Sequence, residues 1–103
     1  MIAIEIPKEQ LRDFCRKWKI TEFSLFGSAT RAEEFRPDSD VDVMVRFAPE
    51  AKWSFFDILR MKDELKGIFH RDVDFCERPA VERMRNYLRR EEILKTAVLL
   101  DVA

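Results

Sequence analysis

Three short apolar runs alternate along this chain with longer stretches in which apolar residues return every three or four positions. After Pro7, Leu11, Phe14, Cys15 and Trp18 recur at helical spacing. Proline suits a helix start, where its missing N–H has no acceptor to lose, so this segment predicts a helix with one face on the core. Residues 21–26 read as a first strand, and a short helix follows, beginning near Ala29 and capped by Ser28. Val41, Val43, Val45 and Phe47 then alternate with Asp40, Asp42, Met44 and Arg46. That is the period of a strand, whose successive side chains face opposite ways. The valines take the core face, and Asp40 and Asp42 become neighbours on the other.

Pro49 ends the second strand. Ser54 with Asp57 three residues later reads as a helix start. This helix carries Phe55, Ile58, Leu59, Met61 and Leu65 towards the core and ends near Gly67, with Phe55 and Phe56 read as core side chains. Residues 71–76 form a third strand: Val73 and Phe75 point inward, and Asp72, Asp74 and Cys76 share the opposite face. Pro79 opens the last helical region. Val81, Met84, Tyr87 and Leu88 face one way, and Ile93, Leu94, Ala97 and Val98 continue the apolar face after a bend near Arg90. The apolar tail 98–100 is read as packing on the core, with a partner interface as the alternative. Strands alternating with helices predict an α/β fold, a single domain over residues 1–103 with a small mixed β-sheet and helices packed on it.

The chemistry concentrates at strand ends. Gly27-Ser28 follows the first strand, and Asp40-Val41-Asp42 opens the second. Glycine allows a sharp exit from the sheet and a close backbone approach to a ligand. A serine hydroxyl and the amides of a turn can bind a phosphate. Two carboxylates held together repel, which raises one pKa unless a cation sits between them. Mg²⁺ takes oxygen ligands, commonly one or two carboxylates plus substrate phosphates. The third strand offers a further acid as metal ligand and as base for an attacking hydroxyl. Asp74 and Asp72 are both candidates, and spacing does not decide between them. Asp-Ser-Asp and Gly-Ser are also ordinary turn sequences. It is their order on successive strands that favours a site for a nucleotide and its metal.

Phe26-Gly27-Ser28, Arg31, the run from Arg36 through Asp38, Ser39, Asp40 and Val41 to Asp42, and Val73-Asp74 together resemble the minimal nucleotidyltransferases, small members of the DNA polymerase beta-like superfamily. The stretch 83–90 and Ile93-Leu94 extend the likeness over nearly the whole chain. The resemblance implies that Gly27, Ser28 and Arg31 bind the nucleotide, that Asp40 and Asp42 hold Mg²⁺, and that Asp74 is the third catalytic carboxylate. It implies ATP as substrate. It also implies an antitoxin that pairs with a HEPN-type ribonuclease toxin and silences it by transferring AMP to a toxin tyrosine. Two rivals stand beside this: an antitoxin that acts by binding alone over a vestigial site, and a transferase for a small-molecule hydroxyl. Eleven residues separate Ser28 from Asp40, one more than the family pattern, and the extra residue falls within 32–35. Asp101 stands where relatives often carry tyrosine.

Composition narrows the partners. Hydrophobic residues make up 47% of the 103, enough for one modest core. A net charge of −1 with 38% charged residues describes a balanced surface, against a nucleic-acid backbone as acceptor. The N-terminus lacks the basic and long apolar regions of a signal peptide, and no run reaches membrane-spanning length, so a cytoplasmic protein is expected, without membrane contact. It is expected as a homo-oligomer or in a hetero-oligomer with its toxin. Cys15 and Cys76 read as free thiols, and His70 as a surface or strand-edge residue. Arg78, Arg83, Arg85, Arg89 and Arg90 read as a solvated helix face paired with acids such as Glu82 and Glu91; phosphate contact or docking of an acidic partner is the alternative.

Overall fold

The alternation at 41–47 becomes an inner strand of a four-stranded mixed sheet. In the computed structural model, which describes residues 4–31, 35–36 and 38–103, α1 spans Lys8–Trp18, β1 Ile20–Phe26 and a 3-10 turn Gly27–Thr30. These are followed by β2 (Val41–Phe47), α2 (Phe55–Phe69), β3 (Val73–Glu77), α3 (Arg78–Glu82), α4 (Tyr87–Thr96) and β4 (Val98–Leu99). The strand order is β3-β2-β1-β4. β1 runs antiparallel to β2 and β4, while β2 and β3 are parallel. Parallel neighbours need a crossover, and α2 supplies it.

One face of the sheet presents Phe23, Leu25, Val41, Val43, Val45 and Val73 to Leu11, Phe14 and Trp18 of α1 and Met61 and Leu65 of α2. On the other face Phe26 and Met44 pack with Val81 of α3 and Ile93 of α4. Lys19 ends α1 in the left-handed region (φ 56°), and His70, exposed, does the same for α2 (φ 57°). Ser54 and Asp57 form a reciprocal capping box at the start of α2. Both cysteines are free thiols. None of the described helices is long and apolar enough to cross a membrane.

Several apolar positions lie elsewhere than periodicity predicts. Phe55 and Phe56 are each 71% exposed, and Leu59 is exposed as well. Only Met61 and Leu65 of α2 are fully buried, because its first turn extends beyond the core that Ile58 begins to touch. The last helical region breaks at 83–86, earlier than Arg90. Asn86 caps a new helix whose phase is set by buried Ile93, which turns Tyr87 and Leu88 out to solvent. α4 stops at Thr96, and Val98 joins a strand rather than a helical face: Leu25 pairs with Val98 and Ser24 with Leu99. Of the tail 98–100, Leu100 packs on the core while Val98 and Leu99 are exposed on the short edge strand; buried Val102 follows.

Candidate active site

Strand register assembles the site. Phe26, the last residue of β1, lies opposite Asp42 on β2, and Asp42 lies level with Asp74 on β3. The carboxylates of Asp42 and Asp74 therefore project from one row of one sheet face. Asp40 sits two residues before Asp42, just ahead of the strand. Its approach is held by a local turn: the Ser39 N–H donates to the Arg36 carbonyl (3.0 Å), and the Arg36 N–H donates to the Ser39 hydroxyl (2.9 Å). Arg71 latches that turn by donating to the carbonyls of Arg36 (3.0 Å) and Ser39 (3.3 Å), with its guanidinium over the Phe35 ring. The Val41 N–H donates to the Asp72 carbonyl (2.9 Å), which ties the starts of β2 and β3 together. The side chain of Asp72 takes another direction and pairs with Lys66 (3.4 Å).

Gly27 leaves β1 at φ 69°, the left-handed region where a side chain is strained. A Cβ built there would collide with Oδ2 of Asp42. The backbone turn thus lies directly against the innermost carboxylate. Ser28 does not cap a helix from Ala29; it is the second residue of the 3-10 turn, whose flanking residue is Phe26. The extra residue of the loop falls largely on 32–34, outside the described residues, as does Pro37.

The electrostatics single out Asp42. Burial, then the charge of Asp74, and to a smaller extent that of Asp40, push its carboxyl up to about 6, while Arg89 acts in the opposite direction. The Cys76 thiol, two residues beyond Asp74, is pushed up to about 12, chiefly by burial, with Asp74 and Asp42 adding and Arg89 again opposing. Asp40 and Asp74 are themselves exposed.

Over Asp42 lies a cleft of about 230 Å³. Gly27, Ser28, Arg31 and Asp42 form one wall, and Arg89, Glu92 and Thr96 of α4 form the other. A hydrogen bond joins the two walls: the Gly27 N–H donates to the Thr96 hydroxyl (3.1 Å), which itself donates to the Glu92 carbonyl (2.9 Å). A larger open depression of about 740 Å³, beside Arg36, His70 and Arg71, contains none of the three carboxylates. The α4 wall depends on how that helix folds back over β1. Periodicity carries no signal for Thr96 or Glu92, and the sequence marks Arg89 only as one arginine among several.

Among the described residues, no three His, Cys, Asp or Glu side chains converge as a ready-made ion cage. A Mg²⁺–nucleotide site does not require one, because Mg²⁺ keeps waters and shares its ligands between one or two carboxylates and the phosphates. The donor set fits that ion: hard oxygens only, with Asp42 raised first by burial and then by the charges of Asp74 and Asp40, a repulsion that a cation placed among them relieves.

The sequence profile of the nucleotidyltransferase domain matches residues 7–100. A protein of Methanocaldococcus jannaschii named a candidate protein adenylyltransferase is 30% identical over 77 residues, 75% of this chain and 76% of that one. A solved candidate minimal nucleotidyltransferase superposes with a TM-score of 0.66 at 29% identity, covering 90% of this chain and 88% of its own. A chain from a toxin–antitoxin structure with AMP-PNP also gives a TM-score of 0.66, at 18% identity, over 91% of this chain and 72% of that one. At that identity the last likeness is one of fold.

Proposed function

Because the chain belongs to the nucleotidyltransferase domain family and is a nucleotidyltransferase, we propose that it transfers AMP from ATP, with Mg²⁺, to a hydroxyl of a protein acceptor. We propose further that the acceptor is a HEPN-type toxin for which this chain is the antitoxin. The observation that carries the reading is the row of Asp42 and Asp74 set against the Gly27 turn, with the α4 cleft above it. The candidate adenylyltransferase relative supports a protein acceptor, and the toxin–antitoxin neighbour with AMP-PNP supports both the partner and the nucleotide. The HEPN type comes from the resemblance of the motifs.

In this reading the triphosphate lies over Gly27 and Ser28, with Arg31 beside it. Asp42 and Asp74, with Asp40 beside them, would offer carboxylate oxygens to Mg²⁺ alongside the phosphates, and the ion would supply charge that offsets theirs. Asp74, exposed at the edge of the row, takes the proton of the acceptor hydroxyl. The acceptor oxygen bonds to the α-phosphorus, the bond from that phosphorus to the α,β-bridging oxygen breaks, and pyrophosphate leaves with the electron pair. The protein contributes position and charge compensation, which dominate phosphoryl-type transfers.

The test is intact-mass spectrometry of a co-encoded HEPN-type protein after incubation with this chain, ATP and Mg²⁺. A gain of one or more AMP units, absent with Asp40→Asn, is the expected result. Stable association without a mass gain refutes transfer in favour of inhibition by binding. Neither association nor a gain refutes the protein acceptor and turns the search to small-molecule hydroxyls.

A further inference from the structure

Arg89 is the third residue of α4, and its backbone is fixed from both ends. Its N–H donates to the Asn86 side chain (3.1 Å) in the helix cap. At the far end of the helix the hydrogen bond between Gly27 and Thr96 (3.1 Å) ties α4 to the phosphate turn. The next residue, Arg90, is already engaged: it donates to the Met84 carbonyl (3.0 Å) and lies against the Tyr87 ring. Arg78 pairs with Glu82 (3.4 Å), and Arg46 with Glu22 (3.4 Å) and Glu82 (3.6 Å). The guanidinium of Arg89, by contrast, makes no hydrogen bond or ion pair among the described residues. It lines the cleft across from Gly27, Ser28, Arg31 and Asp42.

A cation held at that place with no hydrogen-bonded or ion-paired carboxylate among the described residues suits an anion that arrives from solution. Guanidinium is planar, permanently charged and matched in shape to two phosphate oxygens. The opposite wall supplies the phosphate turn. The carboxylates of Asp42 and Glu92 in the same lining would repel a triphosphate that had no cation to offset them.

We propose that Arg89 grips the β- and γ-phosphates of ATP in the cleft and compensates the charge of pyrophosphate as it leaves. This rests on the nucleotidyltransferase reading of the site and adds to it a residue on a different element. The competing role is purely internal, a counter-ion for Asp42. A counter-ion would affect AMP, ATP and pyrophosphate alike, because it acts on the carboxylate and not on the phosphates beyond the α position.

Calorimetric titration of wild type, Arg89→Gln and Arg89→Lys with ATP, AMP and inorganic pyrophosphate, with and without Mg²⁺, separates the two. A charged hydrogen-bonded contact corresponds to roughly a 10- to 100-fold change in affinity. Arg89→Gln is therefore expected to weaken ATP and pyrophosphate by about that factor and to leave AMP within about twofold, with Arg89→Lys in between. Arg89 is exposed, so the melting temperatures of all three proteins should stay close. ATP and pyrophosphate binding as in wild type, or an equal loss for AMP, overturns the role of Arg89 while the nucleotide site stands. Wild-type protein that binds neither ATP nor pyrophosphate overturns the nucleotide site and this proposal together.

Discussion

Asp42→Asn should stabilise the ligand-free protein while abolishing transfer. The carboxyl of Asp42 moves from an ordinary value of 3.8 to about 6 on folding, because burial and the charges of Asp74 and Asp40 disfavour its ionised form. A difference of that size corresponds to about 3 kcal/mol at 1.36 kcal/mol per pH unit. The group is only half-buried, and solvent screening brings the expected effect to about 1 kcal/mol. The sign follows from linkage. The folded state binds this proton more tightly than the unfolded chain, so the stabilising contribution is complete below pH 3.8 and is lost as pH rises through about 6. Above that, the folded wild type carries an ionised, crowded carboxylate that the amide lacks. Thermal unfolding in EDTA from pH 4 to 8 should show the variant melting about 4–8 °C above wild type at pH 7.5, with the gap closing towards pH 4. A variant no more stable than wild type at pH 7.5, or a gap that does not change with pH, would refute the reasoning.

The Gly27 turn and its tether to α4 give two further expectations. Gly27→Ala places a Cβ against the Asp42 carboxylate at φ 69°. The left-handed conformation alone costs about 1–2 kcal/mol. Displacing the carboxylate should lower transfer by about 100-fold or more, and transfer within a few-fold of wild type would contradict the cradle. Thr96→Val removes the acceptor of the Gly27 N–H. Urea unfolding should show a loss of about 1–3 kcal/mol, and an unchanged midpoint would mean that the tether contributes nothing.

The strand that carries the acids was legible because its alternation is strict. A period-two run with valines on one side has only one face for Asp42, and the β2 boundaries follow from Asp40 before it and Pro49 after it. The capping box of Ser54 and Asp57 was legible for a similar local reason. Asp74 over Asp72 was not decided by spacing. The parallel register of β2 and β3 sets Asp74 level with Asp42, and register is a tertiary property. Periodicity failed where a helix outruns the core, at Phe55 and Phe56, and where a break resets the phase, at Tyr87 and Leu88. It also failed at Val98, where pairing with β1 outweighs continuation of α4. Apolar spacing says which face a helix would bury, not how much of that face finds a neighbour. The α4 wall was hidden for the same reason: Arg89 and Thr96 reach the cleft only once β4 has folded the chain back beside β1.

The central claim is that the acids of β2 and β3 and the Gly27 turn form one metal-dependent nucleotide site. It is tested most directly by titrating wild type, Asp40→Asn and Asp42→Asn with a non-hydrolysable ATP analogue, with and without Mg²⁺. Mg²⁺ should tighten binding to wild type, and either substitution should remove this enhancement while phosphate binding at the turn persists. Wild-type binding indifferent to Mg²⁺, or variants that keep the full enhancement, would contradict the claim.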